Sequence, residues 1–391
     1  MEIIRAGAQW KEEILRFADR IFGAGVQPGG FAELIPDVYG PGAACDGNHL
    51  LVLEEGRIQA LLLTEPTTFV CGGEILRGIG VGTVSVAEDA RGKGYMQLLL
   101  KTVREWMDKE GYAFAVLAGQ RQRYAYWGYE PMETRLVMRL DAGNVRHALT
   151  RERTGGLEDA LSFAEMEEGS EAEGQAFSLF ESLPLHTLRR KETFARHLKS
   201  GRCVPLVIRK NESFAGYLCE SVRGGEHRIV ELELSDGKLL PAVLRAYWIE
   251  RASEGFSLCL APYRTEAYTF LEKICAGCEL RNGYQYYLAD LRAVLSFCMR
   301  AGQRLNGLAD GEWDFRTEGR LYACSVRKGE VRVDEFFREQ AGTERWNAAG
   351  EWEKSELVRL LFGLRPAVSC PDGVPSGWLP FPLYLPEVDA V

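Results

Sequence analysis

Val84 to Leu100 reads VSVAEDARGKGYMQLLL. The β-branched run closing at Val86 is a strand, and the apolar residues Met96, Leu99, Leu100, Val103, Trp106 and Met107 keep the three-to-four spacing of a helix that Gly111 stops. Between them lies Arg91-Gly92-Lys93-Gly94. Glycine adopts left-handed backbone without a Cβ clash, so Gly92 and Gly94 let successive N–H groups turn toward one point at the head of the helix. The helix dipole and the charges of Arg91 and Lys93 add to that point, which makes a pyrophosphate the natural guest. RGKG taken alone reads by default as a solvated basic turn before a surface helix.

The elements around this turn form an α/β unit. A short strand (Ile3 to Arg5) and an amphipathic helix (about Gln9 to Phe22, with Trp10, Ile14, Leu15, Ala18 and Ile21 on one face) precede a meander at His49–Leu53, Ile58–Leu63 and Val81–Val86. After the helix, Ala113–Leu117 is a strand leading into the aromatic turn YAYWGYEP, Tyr124 to Pro131. The polar RHALTRERTGG around Arg146 to Gly156 reads as a linker, which places a boundary near residue 150. A helix-rich section (Gly174 to Leu198) and strands at Val204–Arg209, Phe214–Val222, Arg228–Leu234 and Phe256–Leu260 then repeat the earlier order. This reads as a degenerate duplication: where the phosphate turn should stand the chain has Ser235, Asp236, Gly237 and Lys238. From about Gly283 a strand (Tyr284–Leu288), a helix (Leu291–Met299), a hairpin (Leu321–Val333) and a helix (Glu353–Leu361) make a small α+β unit without a catalytic motif.

At 391 residues the chain is long enough for two or three cores. It is 46% hydrophobic and 26% charged, a composition of folded globular proteins. The N-terminus lacks a basic start followed by an apolar run and no window approaches eighteen apolar residues, so a cytoplasmic protein without a membrane segment is expected. A net charge of −9 argues against nucleic-acid or anionic-membrane binding and suits a cationic substrate. The ten cysteines are expected as free thiols; Cys275 and Cys278 have metal-ligand spacing, but no second pair or nearby histidine completes a site, so no metal is expected.

The strand followed by Arg91, Gly92, Lys93 and Gly94 resembles motif A of the GNAT acetyltransferases: arginine, two residues, glycine, one residue, then glycine or alanine. Arg91 and Gly94 match, and Met96 stands where a small residue is usual. That departure, with Tyr124 three residues before an aromatic-Gly-Tyr-x-Pro sequence, resembles the enhanced intracellular survival (Eis) branch. The resemblance implies two GNAT-like domains of mixed, mostly antiparallel, splayed sheet with flanking helices (1–150 catalytic, 151–283 degenerate) and a sterol-carrier-protein-like α+β domain (284–391). It also implies a homo-oligomer, a hexamer in that family.

The same resemblance implies acetyl-CoA as cofactor, held by Val84, Ser85, Val86, Arg91, Gly92, Lys93, Gly94, Tyr95 and Met96. The strands at Val84–Val86 and Ala113–Leu117 would splay around the pantetheine arm, and a backbone N–H at Val86 would polarise the thioester. Tyr124, protonated at neutral pH with a pKa near ~10, corresponds to the general acid for the departing thiolate. The terminal carboxylate, here Val391 after an acidic PEVD, would reach back as the base; a frayed terminus is the alternative. His49 and His147 are assigned ordinary surface or packing roles. The expected activity is transfer of an acetyl group to a small-molecule or peptide amine by direct attack. An acyl-CoA or apolar-ligand sensor is the competing reading, and a phosphate-binding nucleotide protein is disfavoured because GxxxxGK[ST] is absent.

Overall fold

The computed structural model describes residues 1–43, 45 and 47–391. In chain order the first strands are β1 (Glu2–Arg5), β2 (His49–Glu54), β3 (Arg57–Cys71), β4 (Glu74–Val86), β5 (Phe114–Leu117) and β6 (Glu130–Pro131). There follow β7 (Thr134–Asp141), β8 (Leu161–Glu165), β9 (Leu185–Thr187), β10 (Val204–Lys210), β11 (Ser213–Arg223), β12 (Glu226–Leu234), β13 (Gly255–Leu260), β14 (Gly277–Asn282) and β15 (Gln285–Leu288). The last sheet comprises β16 (Gly311–Thr317), β17 (Arg320–Arg327), β18 (Glu330–Phe337) and β19 (Gly350–Glu351).

The first sheet runs β1-β2-β3-β4-β5-β15-β6 and the second, read from its other edge, β8-β10-β11-β12-β13-β7-β14. Position by position the two sheets correspond. In each, an antiparallel meander ends in a strand that crosses over through one helix (Tyr95–Glu110 or Leu240–Glu250) to a parallel neighbour. In each, the next strand comes from the opposite end of the intervening chain: β7 leaves the first sheet for the second, and β15 returns from the second to the first. The sheets are therefore not cut at 150 and 283, because the strand at 134–141 lies in the second sheet and that at 285–288 in the first.

The exchange point is pinned by Glu133, which is fully buried with φ +59°. Its carboxylate accepts from Arg135, from the Tyr286 hydroxyl at 3.0 Å, from the Leu385 backbone N–H at 2.6 Å and from that of Tyr284 at 3.2 Å. A Cβ at position 283 would stand 2.0 Å from Glu133 Oε1, so Gly283 is required for this approach. Such a buried carboxylate is tolerated only because each lone pair has a donor. The third sheet, ordered β18-β17-β16-β19, packs with the helix Leu291–Asn306 around Phe315, Trp378, Phe362 and Phe381, each at most 2% exposed. Beyond it the chain runs back across both earlier sheets.

Candidate active site

β4 and β5 are parallel partners only over Gly78–Gly80 and Phe114–Val116. Past that point they separate, so Val81–Val86 has β3 on one side and a gap on the other. The register of β4 against β3 slips between Leu61 and Leu63, and the bulged residue, Thr83, takes φ +50°. The bulge is clamped from behind: the Tyr39 hydroxyl donates to Thr83 Oγ1 at 2.9 Å and lies 2.8 Å from His49 Nε2, while His49 Nδ1 is 3.2 Å from Cys45 Sγ. With its one hydrogen on Thr83, Tyr39 must accept from His49 Nε2–H. Burial lowers the His49 pKa to about 4, so this ring is neutral, a structural strut for the bulge rather than a surface group. Nothing in the spacing of Tyr39, His49 and Thr83 announces that chain.

At the end of β4 the expected turn is present. Gly92 and Gly94 have φ of +83° and +81°, and Gly94 is the left-handed N-cap of the helix Tyr95–Glu110 without a side-chain cap. Arg91, Gly92 and Lys93 are exposed there. Arg91 is loosely paired with Glu88 at 3.8 Å. Two side chains point elsewhere than the cofactor reading requires: Lys93 Nζ bonds Glu54 Oε2 at 3.0 Å, and the buried Tyr95 donates its hydroxyl to the same carboxylate. These contacts tie the head of the helix to β2, leaving the backbone N–H groups of the uncapped helix start as what it can offer an anion. Met96 is half-buried against the first core, and Val84 and Val86 flank the buried Ser85, whose hydroxyl donates to the Thr83 carbonyl at 3.0 Å.

On the far wall, β5 leads through Gly119 to the short helix Arg121–Tyr124. Gln285 Nε2 on β15 donates to the Gly119 carbonyl at 2.7 Å, and a Cβ at 119 would stand 2.7 Å from Tyr124 Cε2. Tyr124 is thereby held just beyond the strand that borders the gap. Its ring is 8% exposed, and burial raises its pKa, so the hydroxyl keeps its proton. Tyr126 is 91% exposed and Tyr129 buried, so the neighbouring aromatics divide between surface and packing.

The chain's last residue enters from the opposite side. A Cβ at Gly80 would be 2.7 Å from Val391 Cγ2, and one at Gly82 2.6 Å from the Val391 carbonyl carbon. The tail reaches that place through a series of anchors. Leu385 is bonded at Glu133 and Arg135, Glu387 meets Arg228 on β12 at 2.8 Å, and Asp389 sits in a buried charge cluster. There Arg189, with a fully buried side chain, donates to both oxygens of Glu231 (2.8 and 2.7 Å) and of Asp389 (2.9 and 2.8 Å). His197 Nε2 stands 2.6 Å from Asp389 and its Nδ1 3.5 Å from Asp37. Burial alone would lower the His197 pKa, but those two carboxylates raise it to about 9.

Val391 lines a cavity of about 320 Å³ whose polar lining includes Asp37, Glu65, Thr67, Arg190 and His197. That is the lower range of small-ligand sites. In the second sheet the corresponding place is taken. β12 and β13 pair only over His227–Ile229 and Phe256–Leu258, and Tyr384, Pro386 and Glu387 of the tail lie against their diverging ends. The turn there is also self-capped, since Asp236 Oδ1 accepts from Lys238 N at 3.0 Å. Among the described residues no helix is long and apolar enough to cross a membrane and no His, Cys, Asp and Glu cluster is arranged to hold a metal ion.

Residues 2–132 match the acetyltransferase (GNAT) domain family. A search of curated proteins finds no match. Among solved structures the chain is similar to Eis1 from Mycobacterium abscessus, at 14% identity and TM-score 0.61, covering 97% of this chain and 96% of that one. It is also similar to a GCN5-related N-acetyltransferase from Kribbella flavida (17%, TM-score 0.62, covering 91% and 88%). A third, from Anabaena variabilis, gives 14% and TM-score 0.62 over 98% of both chains. At these identities the structures speak for a shared fold along nearly the full length.

Proposed function

We propose that this chain, whose residues 2–132 match the acetyltransferase (GNAT) domain family, moves an acetyl group from acetyl-CoA to a primary amine seated in the cavity beside Val391. The observation that carries the reading is the divergence of β4 from β5 directly upstream of the uncapped, glycine-turned helix start at Gly94. A gap between strands can take an extended pantetheine arm as it would another strand, and free N–H groups at the helix head suit a pyrophosphate. Acetyl-CoA, when bound, supplies the thioester.

The chain's own groups do the rest. The backbone of Val84–Val86 offers N–H donors along the gap, and a donor aimed at the thioester oxygen stabilises the charge that develops as the amine attacks. The Val391 carboxylate receives the incoming ammonium and draws off one proton, directly or through water, freeing the nitrogen lone pair. The new C–N bond forms, the C–S bond breaks, and Tyr124 gives its hydroxyl proton to the leaving sulfur. Proximity to both walls makes this a ternary-complex reaction without a covalent enzyme intermediate.

Calorimetry with acetyl-CoA tests the site. One molecule per chain is expected, since the second sheet's divergence is filled by the tail and the turn before its helix is capped by Asp236. Two sites, or none, overturn the reading. For the acid, Tyr124→Phe is expected to lower kcat about 10²-fold in a thiol-release assay with a mixed amine panel while leaving acetyl-CoA affinity unchanged. An unchanged kcat removes Tyr124 from the mechanism.

A further inference from the structure

Glu65 is the least neutralised of the cavity's part-buried side-chain carboxylates. It stands on β3 directly across from Gly80, against which Val391 packs. Its side chain is 19% exposed; Asn48 Nδ2 donates to Oε2 at 2.7 Å, and Oε1 is 3.6 Å from Arg190, whose own side chain is 64% exposed. The other carboxylates nearby are committed: Asp37 to His197, and Asp389 to Arg189 and His197. We propose that Glu65 is the acceptor of the proton that the attacking ammonium must lose, an assignment that rests on the acetyl-transfer reading above. The N–H bond breaks, the proton passes by way of the Val391 carboxylate or a water to a Glu65 oxygen, and the amine lone pair goes to the thioester carbon.

The chemistry favours a second carboxylate. A terminal carboxyl has an ordinary pKa of about 3.3–3.7, so it orients a cation well but holds a proton poorly at neutral pH. Burial raises Glu65 to about 7, with Asp37 pushing the same way and Arg190, His197 and Asn48 opposing. A base with a pKa near the working pH is ionised in a useful fraction and binds the proton strongly enough to keep it. The environment that would penalise a permanent charge here thus suits a transient one.

The test is a pH profile of kcat/KM with wild type, Glu65→Gln and Arg190→Gln, using the best acceptor from a panel of spermidine, tobramycin and a lysine peptide. Wild type is expected to rise to a plateau near pH 7, as Glu65 ionises. Glu65→Gln should fall about 10²-fold at the plateau pH and keep rising toward the amine's own pKa of about 10, because it then depends on amine already free. A purely structural loss would scale the curve without moving its bend. Arg190→Gln, a surface change, removes a positive neighbour and should shift the wild-type bend upward; it decides the matter if Glu65→Gln does not fold. A Glu65→Gln profile bending where wild type does, or an unmoved bend in Arg190→Gln, overturns the assignment alone. No thiol release from wild type with any amine overturns the acetyl-transfer reading, and this assignment with it.

Discussion

Extending the chain past Val391 by a few residues, or amidating its carboxylate, is expected to lower kcat by about 10²-fold or more with little change in acetyl-CoA affinity or Tm. The expectation comes from where the anchoring energy lies. Leu385, Glu387 and Asp389 carry the hydrogen bonds and ion pairs, whereas Val391 contributes only a half-buried side chain and the carboxylate laid over Gly80 and Gly82. Altering that carboxylate therefore removes the group proposed to receive the ammonium and pass on its proton, without loosening the tail. Gly82→Ala is an independent probe of the same contact. The φ of Gly82 is not in the left-handed region, so alanine is tolerated by the backbone, but its Cβ would stand 2.6 Å from the Val391 carbonyl carbon and must displace it. A fall in kcat similar to that of the extended chain is expected. Full activity in both variants would sink the terminal carboxylate as a participant and leave Glu65 to act on the amine unaided.

How much of this was legible in the sequence depends on how local the cause is. The helix Tyr95–Glu110 and its glycine turn follow from residues within a few positions of one another, and so does the self-capped turn at Asp236. The repeated meander-helix-strand order was likewise visible as periodicity. Pairing partners were not: β7 and β15 carry the same alternation whichever sheet they join, and the choice is made by Glu133, Gly283 and Tyr286 at the crossing. β9, three residues long, gains its strand character only from β3. The charge of Lys93 reads as a phosphate-side group because the turn that holds it is recognisable, while Glu54, which binds both Lys93 and Tyr95, is 39 positions from Lys93. The cavity gathers residues 37, 65, 190, 197 and 391, four ionisable side chains and an apolar terminal residue with no regular separation along the chain. No spacing rule reports such a set.

Arg189→Met is expected to cause the largest loss of stability, about 3–5 kcal/mol by urea unfolding, because it takes the guanidinium from two carboxylates whose side chains are almost fully buried. Arg189 donates to both Glu231 and Asp389; Tyr217 donates to Glu231 at 2.6 Å, and Thr187 and His197 bond Asp389 at 2.9 and 2.6 Å. Removing the guanidinium leaves Glu231 with the Tyr217 hydroxyl and Asp389 with Thr187 and the single cation of His197. If net charge is the cause, Asp389→Asn and Glu231→Gln added to Arg189→Met should recover much of the loss; if shape is the cause, they should not. The pH dependence of the wild-type anchor separates its two cations further. Burial would raise the Asp389 pKa, but Arg189 and His197 hold it well below the carboxylate range, so its contribution is present above about pH 3.9 and is lost as pH falls through the lower folded value. His197 is raised to about 9, so its contribution is complete below about pH 6.5 and is lost as pH rises through 9. Between those limits the imidazolium joins Asp37 of the first domain to Asp389 of the tail. Tm is therefore expected to decline from pH 6.5 to 9 in wild type and to lose most of that decline in His197→Gln, while a decline of equal size in both would place the titrating group elsewhere.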